Sequence, residues 1–197
     1  VIEGDSLEYE FLENAVKQLK DPIGVSVELG VRRGLGSKII IDTYRKHYPN
    51  TVLVHLGIDP YGNIKYNDND QFIVRLDYTN TMRQQMIADF AIDYPEFHFV
   101  NLEDNEFFKR YQDGYPVYEQ FKRLLNKYEI VHFDGPHDTV NVMKEVEFFE
   151  DRKPKQCVYI FDDIANYNID KVGDYLLQKG FKELDKGKRK RSYEYTS

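Results

Sequence analysis

A chain of 197 residues, 41% hydrophobic and 31% charged, is long enough to bury one full core and too apolar to be a disordered segment. A net charge of −7 argues against nucleic acid as the main substrate, and no apolar run approaches a membrane span. The single cysteine, Cys157, excludes an internal disulfide and any cysteine-rich zinc site, which suits a cytoplasmic location.

A first helix is expected to open at Asp5, with Glu8 three residues on completing a capping box. Leu7, Phe11, Leu12, Ala15, Val16 and Leu19 then share one face, and Asp21-Pro22 ends the helix. Next comes Val25-Ser-Val-Glu-Leu-Gly-Val-Arg-Arg-Gly-Leu-Gly-Ser37, which reads as a strand from Val25 to Leu29, a glycine-rich turn and a helix start. Such a turn lets backbone approach a ligand closely, and the helix behind it offers free N–H groups. Glu28, two residues before Gly30, would repel a pyrophosphate but suits a cationic amino or sulfonium group. The bland reading is an ordinary strand–turn–helix.

The helix from about Leu35 to Tyr48 stops at Pro49-Asn50, and a second strand, Val52 to Ile58, is nearly all apolar. It ends at Asp59-Pro60. An acid there can accept from both hydroxyls of a ribose, or it can simply turn the chain. From Tyr61 to Tyr78 periodicity fades and Asn63, Asn67, Asp68, Asn69 and Asp70 accumulate, so a long active-site loop is expected. Asp68-Asn-Asp70 lacks the glycine and bidentate glutamate of a calcium loop. Asn80 to Asp93 is expected to be helical, with Met82, Met86, Ile87 and Phe90 facing inward.

A third strand, Phe97 to Val100, leads to Glu103 and Asp104, either of which can meet a ligand or cap a helix from Asn105 onward. Helical stretches are expected near Glu106–Tyr111 and over Val117–Tyr128, on either side of a Gly114-Tyr-Pro116 break. A fourth strand, Glu129 to Phe133, ends in Asp134-Gly-Pro-His137, and a helix over Thr139–Glu150 turns Val142, Val146 and Phe149 inward. The fifth strand, Cys157 to Phe161, ends in Asp162-Asp163. After a helix near Ile169–Lys179, Phe181–Leu184 and Ser192–Tyr195 flank a basic turn as a closing antiparallel hairpin. Its cluster Lys186-Gly-Lys-Arg-Lys-Arg191 reads as a solvated tip, with a phosphate contact the lesser alternative. Residues 1–197 thus read as a single doubly wound α/β domain.

Parallel sheets bind ligands beyond the carboxyl ends of their strands, where Glu28, Asp59, Asp134, Asp162 and Asp163 all fall. Asp134, Asp162 and Asp163, from two neighbouring strands, can converge on a hard cation such as Mg²⁺; alternatively they cap and turn the chain. His137, three residues after Asp134, can take a proton near neutral pH or serve only the fold.

Two resemblances sharpen this. Gly30-x-x-x-Gly34-x-Gly36 behind Glu28 departs from the dinucleotide order G-x-G-x-x-G and resembles the first motif of the class I, seven-stranded S-adenosylmethionine (SAM) methyltransferases. Asp134-Gly-Pro-His137 with Phe161-Asp-Asp163 resembles the metal-dependent O-methyltransferases of the macrocin and mycinamicin type and their cephalosporin hydroxylase-like relatives. The resemblance implies a Rossmann-like, mostly parallel seven-stranded sheet closed by an antiparallel hairpin. It implies SAM held by Glu28, Gly30, Gly34, Ser37 and Asp59, with Glu103 or Asp104 at the adenine. It implies Mg²⁺ on Asp134, Asp162 and Asp163, with Asp134 and His137 serving catalysis on a hydroxyl of a sugar or other small polar molecule. A homo-oligomer is compatible with it, and the acceptor stays open. Rival readings are a metal-independent methyltransferase using His137 alone, a non-catalytic SAM-fold module, and an NAD-dependent oxidoreductase, the last disfavoured by Glu28 and the glycine order.

Overall fold

The computed structural model describes residues 2–4, 6–62, 65–67, 70, 74–75, 78–118 and 120–197. The expected capping residue Asp5 and the loop residues Asn63, Asp68 and Asn69 fall outside them. In chain order the elements are α1 (Glu10–Gln18), β1 (Val25–Leu29), α2 (Leu35–His47), β2 (Val54–Ile58), β3 (Tyr66–Asn67) and β4 (Val74–Arg75). There follow α3 (Asn80–Phe90), β5 (Phe97–Val100), α4 (Asp104–Arg110), β6 (Tyr115–Tyr118), β7 (Lys122–Leu125) and β8 (Ile130–Phe133). The last are α5 (Thr139–Glu150), β9 (Gln156–Phe161), α6 (Ile169–Gln178), β10 (Lys182–Lys186) and β11 (Arg191–Thr196).

Seven strands form one sheet in the order β10-β11-β9-β8-β1-β2-β5. It is parallel from β9 to β5, and β11 joins antiparallel to both β9 and β10. This is the Rossmann-like sheet, closed by an antiparallel hairpin, that the motifs implied. Strand order reverses at β1, which lies between β8 and β2, so the crevice beyond β1 and β8 is where such sheets take ligands.

Alternation along the strands sends different chemistry to the two faces. Val25, Val27 and Leu29 of β1 join Val54, Leu56 and Ile58 of β2 in a cluster covered by Val142, Val146 and Phe149 of α5 and Val172 and Leu176 of α6. Each such fully buried side chain contributes about 1.5–3 kcal/mol. On the other face Ile130, Val158 and Ile160 pack under Phe11, Leu12, Ala15 and Val16 of α1 and Ile40, Ile41 and Tyr44 of α2. The intervening β1, β2 and β8 positions on that face are Ser26, Glu28, His55, Gly57 and His132, all polar but the glycine.

Several local expectations change. The first helix starts at Glu10 rather than Asp5, Glu8 sits at φ +59° with its carboxylate bonded elsewhere, and Leu7 is exposed. The expected helix over Val117–Tyr128 is instead the ribbon β6–β7, where Val117 and Leu125 point inward while Phe121 is exposed. Within the expected loop from Tyr61 to Tyr78, β3 and β4 pair antiparallel. On α3 Met86 and Phe90 are buried, but Ile87 faces solvent. Among the described residues, no helix is long and apolar enough to cross a membrane.

Candidate active site

The turn after β1 is held from below by the next strand. Asp59, directly after β2, accepts the backbone N–H groups of Val31 at 2.8 Å and Arg32 at 3.1 Å through one carboxylate oxygen. Burial pushes its carboxyl up to about 7, against those two donors. Asn101, just past β5, donates its side-chain amide to the backbone oxygens of Asp59 (2.9 Å) and Tyr61 (3.1 Å), fixing the adjoining segment. Gly30 has φ +79°, and a Cβ there would overlap the carbonyl oxygen of Asp134. Only glycine lets the chains leaving β1 and β8 run this close.

Beneath the turn lies a buried polar chain. Ser26 Oγ and His55 Nδ1 are 2.8 Å apart, and His55 Nε2 is 2.9 Å from Ser37 Oγ. Ser37 donates to Glu28 Oε2, while Glu28 Oε1 lies 2.8 Å from His132 Nδ1. All five residues are buried, and burial lowers the His55 pKa to about 4. The expected cofactor residues therefore separate into two sets. Gly30, Asp59, Glu103 and Asp104 line a cleft of about 240 Å³ together with Asp134 and His137. Glu28, Gly34 and Ser37 lie outside its lining; Gly34 packs on the Phe90 ring, and Glu28 and Ser37 bond to each other.

Glu103 occupies the N-cap position of α4 without a side-chain cap bond, and Asp104 opens the helix. Burial raises the carboxyl of Asp104, and next to it Glu145 of α5 is 1% exposed and raised well above the usual range, first by burial and then by Asp104. A buried carboxyl beside another acid favours its neutral form. Glu145 carried no sequence signal beyond its place on the inner side of an amphipathic helix.

At the far end of the cleft the ring of His137 lies between two acids. Its Nε2 is 3.5 Å from Asp134 Oδ1 and its Nδ1 is 3.7 Å from Asp163 Oδ2, and the ring stacks with Tyr167 at 6.3 Å. Burial, followed by the nearby charge of Asp162, pushes Asp134 up to about 6.

Asp162 itself is fully buried and fully engaged. Its Oδ2 receives Lys190 Nζ and, at 2.5 Å, the hydroxyl of Ser6; its Oδ1 receives the Asp163 N–H at 2.7 Å and Arg189 Nε at 3.2 Å. Burial alone would raise its carboxyl, but Lys190 and the hydrogen bonds outweigh that and hold it well below the usual carboxylate range. Arg189 Nε also reaches Asp163 Oδ1 at 2.8 Å. The basic cluster near 186–191, expected as a solvated tip, thus delivers Arg189 and Lys190 into the acidic cluster.

The donor set can be tested against Mg²⁺. Asp134, Asp162 and Asp163 stand at one end of the sheet, but both oxygens of Asp162 and one of Asp163 are already bonded to protein cations, so this arrangement does not fit a resident Mg²⁺. Among the described residues, the carboxylate and imidazole atoms that form a group of three all within 4.8 Å of one another belong to Glu28, His132 and Asp134. There Glu28 is already committed to Ser37 and His132.

No family model and no curated protein matches the chain. Solved structures do. The O-methyltransferase NovP aligns over 96% of this chain and 79% of its own, with a TM-score of 0.66 and 14% identity. CalS11, a TDP-rhamnose 3′-O-methyltransferase of calicheamicin biosynthesis, aligns over 93% and 76%, with a TM-score of 0.59 and 16% identity. SMU.1697c from Streptococcus mutans, solved in complex with SAH, aligns over 97% and 98%, with a TM-score of 0.56 and 8% identity. At such identities the likeness is one of fold, the seven-stranded class I methyltransferase fold.

Proposed function

We propose that this protein is a SAM-dependent O-methyltransferase acting on a hydroxyl of a sugar or another small polar molecule. The observation that carries the reading is the cleft at the strand-order reversal, lined by Gly30, Asp59, Asp104, Asp134 and His137, with the His137 ring set between Asp134 and Asp163. Asp59 anchors the glycine turn through one oxygen and offers its carboxylate to ribose hydroxyls. Glu103 and Asp104, at the head of α4, supply acceptors for an adenine amino group. Glu28 and Ser37 act one layer down, holding α2 against β1 so that the turn keeps its shape.

Held in the cleft by Asp59, Glu103 and Asp104, SAM would supply a methyl group on a sulfonium, an electrophile suited to in-line attack by an oxygen nucleophile. The chain's own part is to hold the two partners aligned and to remove the hydroxyl proton. His137 accepts that proton, and Asp134 and Asp163 on either side of the ring stabilise the resulting imidazolium. A net charge of −7 supports a neutral or polar small acceptor over nucleic acid.

Calorimetric titration of SAM and of NAD⁺ into the protein and into Asp59→Ala tests the cofactor. Micromolar SAM binding, about −8 kcal/mol, weakened by the substitution and with no NAD⁺ signal, is the expected result. A screen of sugars and polyols with methyl-labelled SAM then tests transfer, and His137→Ala should lower turnover by about 10²–10⁴-fold without loss of SAM binding. SAM binding without transfer to any acceptor would favour a binding module instead.

A further inference from the structure

Lys190 is 0% exposed, and so is its partner Asp162. A lysine charge at this depth persists only when it is paired and hydrogen-bonded. Lys190 meets both conditions: Nζ donates to Asp162 Oδ2 and to Ser6 Oγ at 2.5 Å, and it stands 5.4 Å over the Tyr9 ring. Arg189 bridges Asp162 and Asp163 through Nε.

The backbone carrying these cations is fixed from two sides. The Glu8 carboxylate accepts the N–H groups of Lys188 (2.8 Å), Arg189 (3.0 Å) and Lys190 (2.8 Å), and Ile164 N donates to Arg189 O at 3.1 Å. Glu8 takes φ +59° to do so. Residues nearly the whole chain apart in sequence therefore cooperate to seat two cations on the acids after β9.

The charge balance explains the arrangement. Asp134, Asp162 and Asp163 bring three negative charges together, and one arginine and one lysine return the same two positive charges as a divalent ion. Mg²⁺ requires close, near-octahedral oxygen ligands, and here the oxygens it would use face two like charges at hydrogen-bond distance.

We infer that Arg189 and Lys190 are this protein's resident cations, taking the place of a divalent metal at the acceptor end of the cleft, and that its methyl transfer needs no metal. The inference rests on the methyltransferase reading for its chemistry, though the exclusion of metal stands apart from it. In the step itself the acceptor O–C bond forms as the C–S bond breaks, the electron pair goes to sulfur, and the hydroxyl proton goes to His137.

Metal-stripped wild-type protein, Arg189→Ala and Arg189→Lys would be titrated with Mn²⁺ at up to millimolar concentration, with free Mn²⁺ read by paramagnetic resonance. Arg189 is partly exposed, so its variants test the site without emptying the buried Lys190 position. Wild type and Arg189→Lys should take up no Mn²⁺ up to millimolar concentration, while Arg189→Ala should bind it with a Kd at least about tenfold below that limit. One Mn²⁺ per wild-type chain, lost in Asp134→Asn, would overturn the inference. Equal Mn²⁺ binding by wild type and Arg189→Ala would overturn the role given to Arg189. On the acceptor found by the screen, wild-type turnover should be unchanged by a chelator, and a loss restored by Mg²⁺ would again overturn it. SAH titrated into the same samples separates the two readings, because failure of SAH to bind would count against the methyltransferase and leave the Mn²⁺ result intact.

Discussion

His132 stands opposite Glu28 in the pairing of β8 with β1, its Nδ1 2.8 Å from Glu28 Oε1 with both side chains buried. With Ser37 on the second oxygen, Glu28 is the hub of a polar layer between the sheet and α2. Glu28→Ala should therefore act first on stability. It leaves buried Ser37 and His132 groups without their acceptor, at a cost of about 1–3 kcal/mol for each unsatisfied group. Urea unfolding would measure this. A variant as stable as wild type but unable to bind SAH would instead make Glu28 a direct cofactor ligand.

Gly30→Ala combines two penalties. The residue sits at φ +79°, and the added methyl would overlap the Asp134 carbonyl oxygen. Left-handed strain alone costs about 1–3 kcal/mol, and relieving the overlap must pry β1 and β8 apart at the cleft. Both the melting temperature and SAH affinity should fall. Ala at the half-buried Gly62 position (φ +139°), where the added Cβ meets only the tips of Asn80 and Arg83, provides the comparison for φ strain without the overlap.

Local signals were legible in the sequence. The apolar runs Val25–Leu29, Val52–Ile58, Glu129–Phe133 and Cys157–Phe161 read as buried strands, and Asp59, Asp134 and Asp162 follow their carboxyl ends, as the strands of the structure have them. Features whose partners come from afar were not. Nothing local to Lys186–Arg191 says that Ser6 and Glu8 will receive it, so the run looked solvated. The segment Val117, Phe121, Leu124, Leu125 and Tyr128 carries helix-like spacing by coincidence, and the ribbon wins because Val117 and Leu125 reach the core only from paired strands. Glu28 looked free because its partners are visible only after β1 is registered on β8.

Asp59 should make SAH binding depend on pH. Its carboxyl titrates near 7 in the folded protein, so it is an ionised acceptor above that pH and a protonated one below. SAH affinity should rise between about pH 6 and about pH 8, and the rise should vanish in Asp59→Asn, whose plateau would lie about tenfold weaker, or 1.4 kcal/mol. Calorimetry across that range checks it. An unchanged slope in the variant would move the titrating group elsewhere.

Glu145→Gln is expected to change how stability depends on pH. In wild type the buried Glu145 is raised well above its ordinary 4.5, first by burial and then by Asp104. An acid raised by folding binds its proton more tightly in the folded state than in the unfolded one. Its stabilising contribution is therefore complete below the unfolded value and declines as pH rises from there towards the folded value. Glutamine cannot ionise and keeps the shape, so the decline should flatten. Denaturant midpoints for wild type and variant should accordingly converge near about pH 4.5 and separate progressively towards about pH 8, with the variant more stable. Parallel curves would show that Glu145 is ionised in the folded protein and that its carboxyl is not raised there.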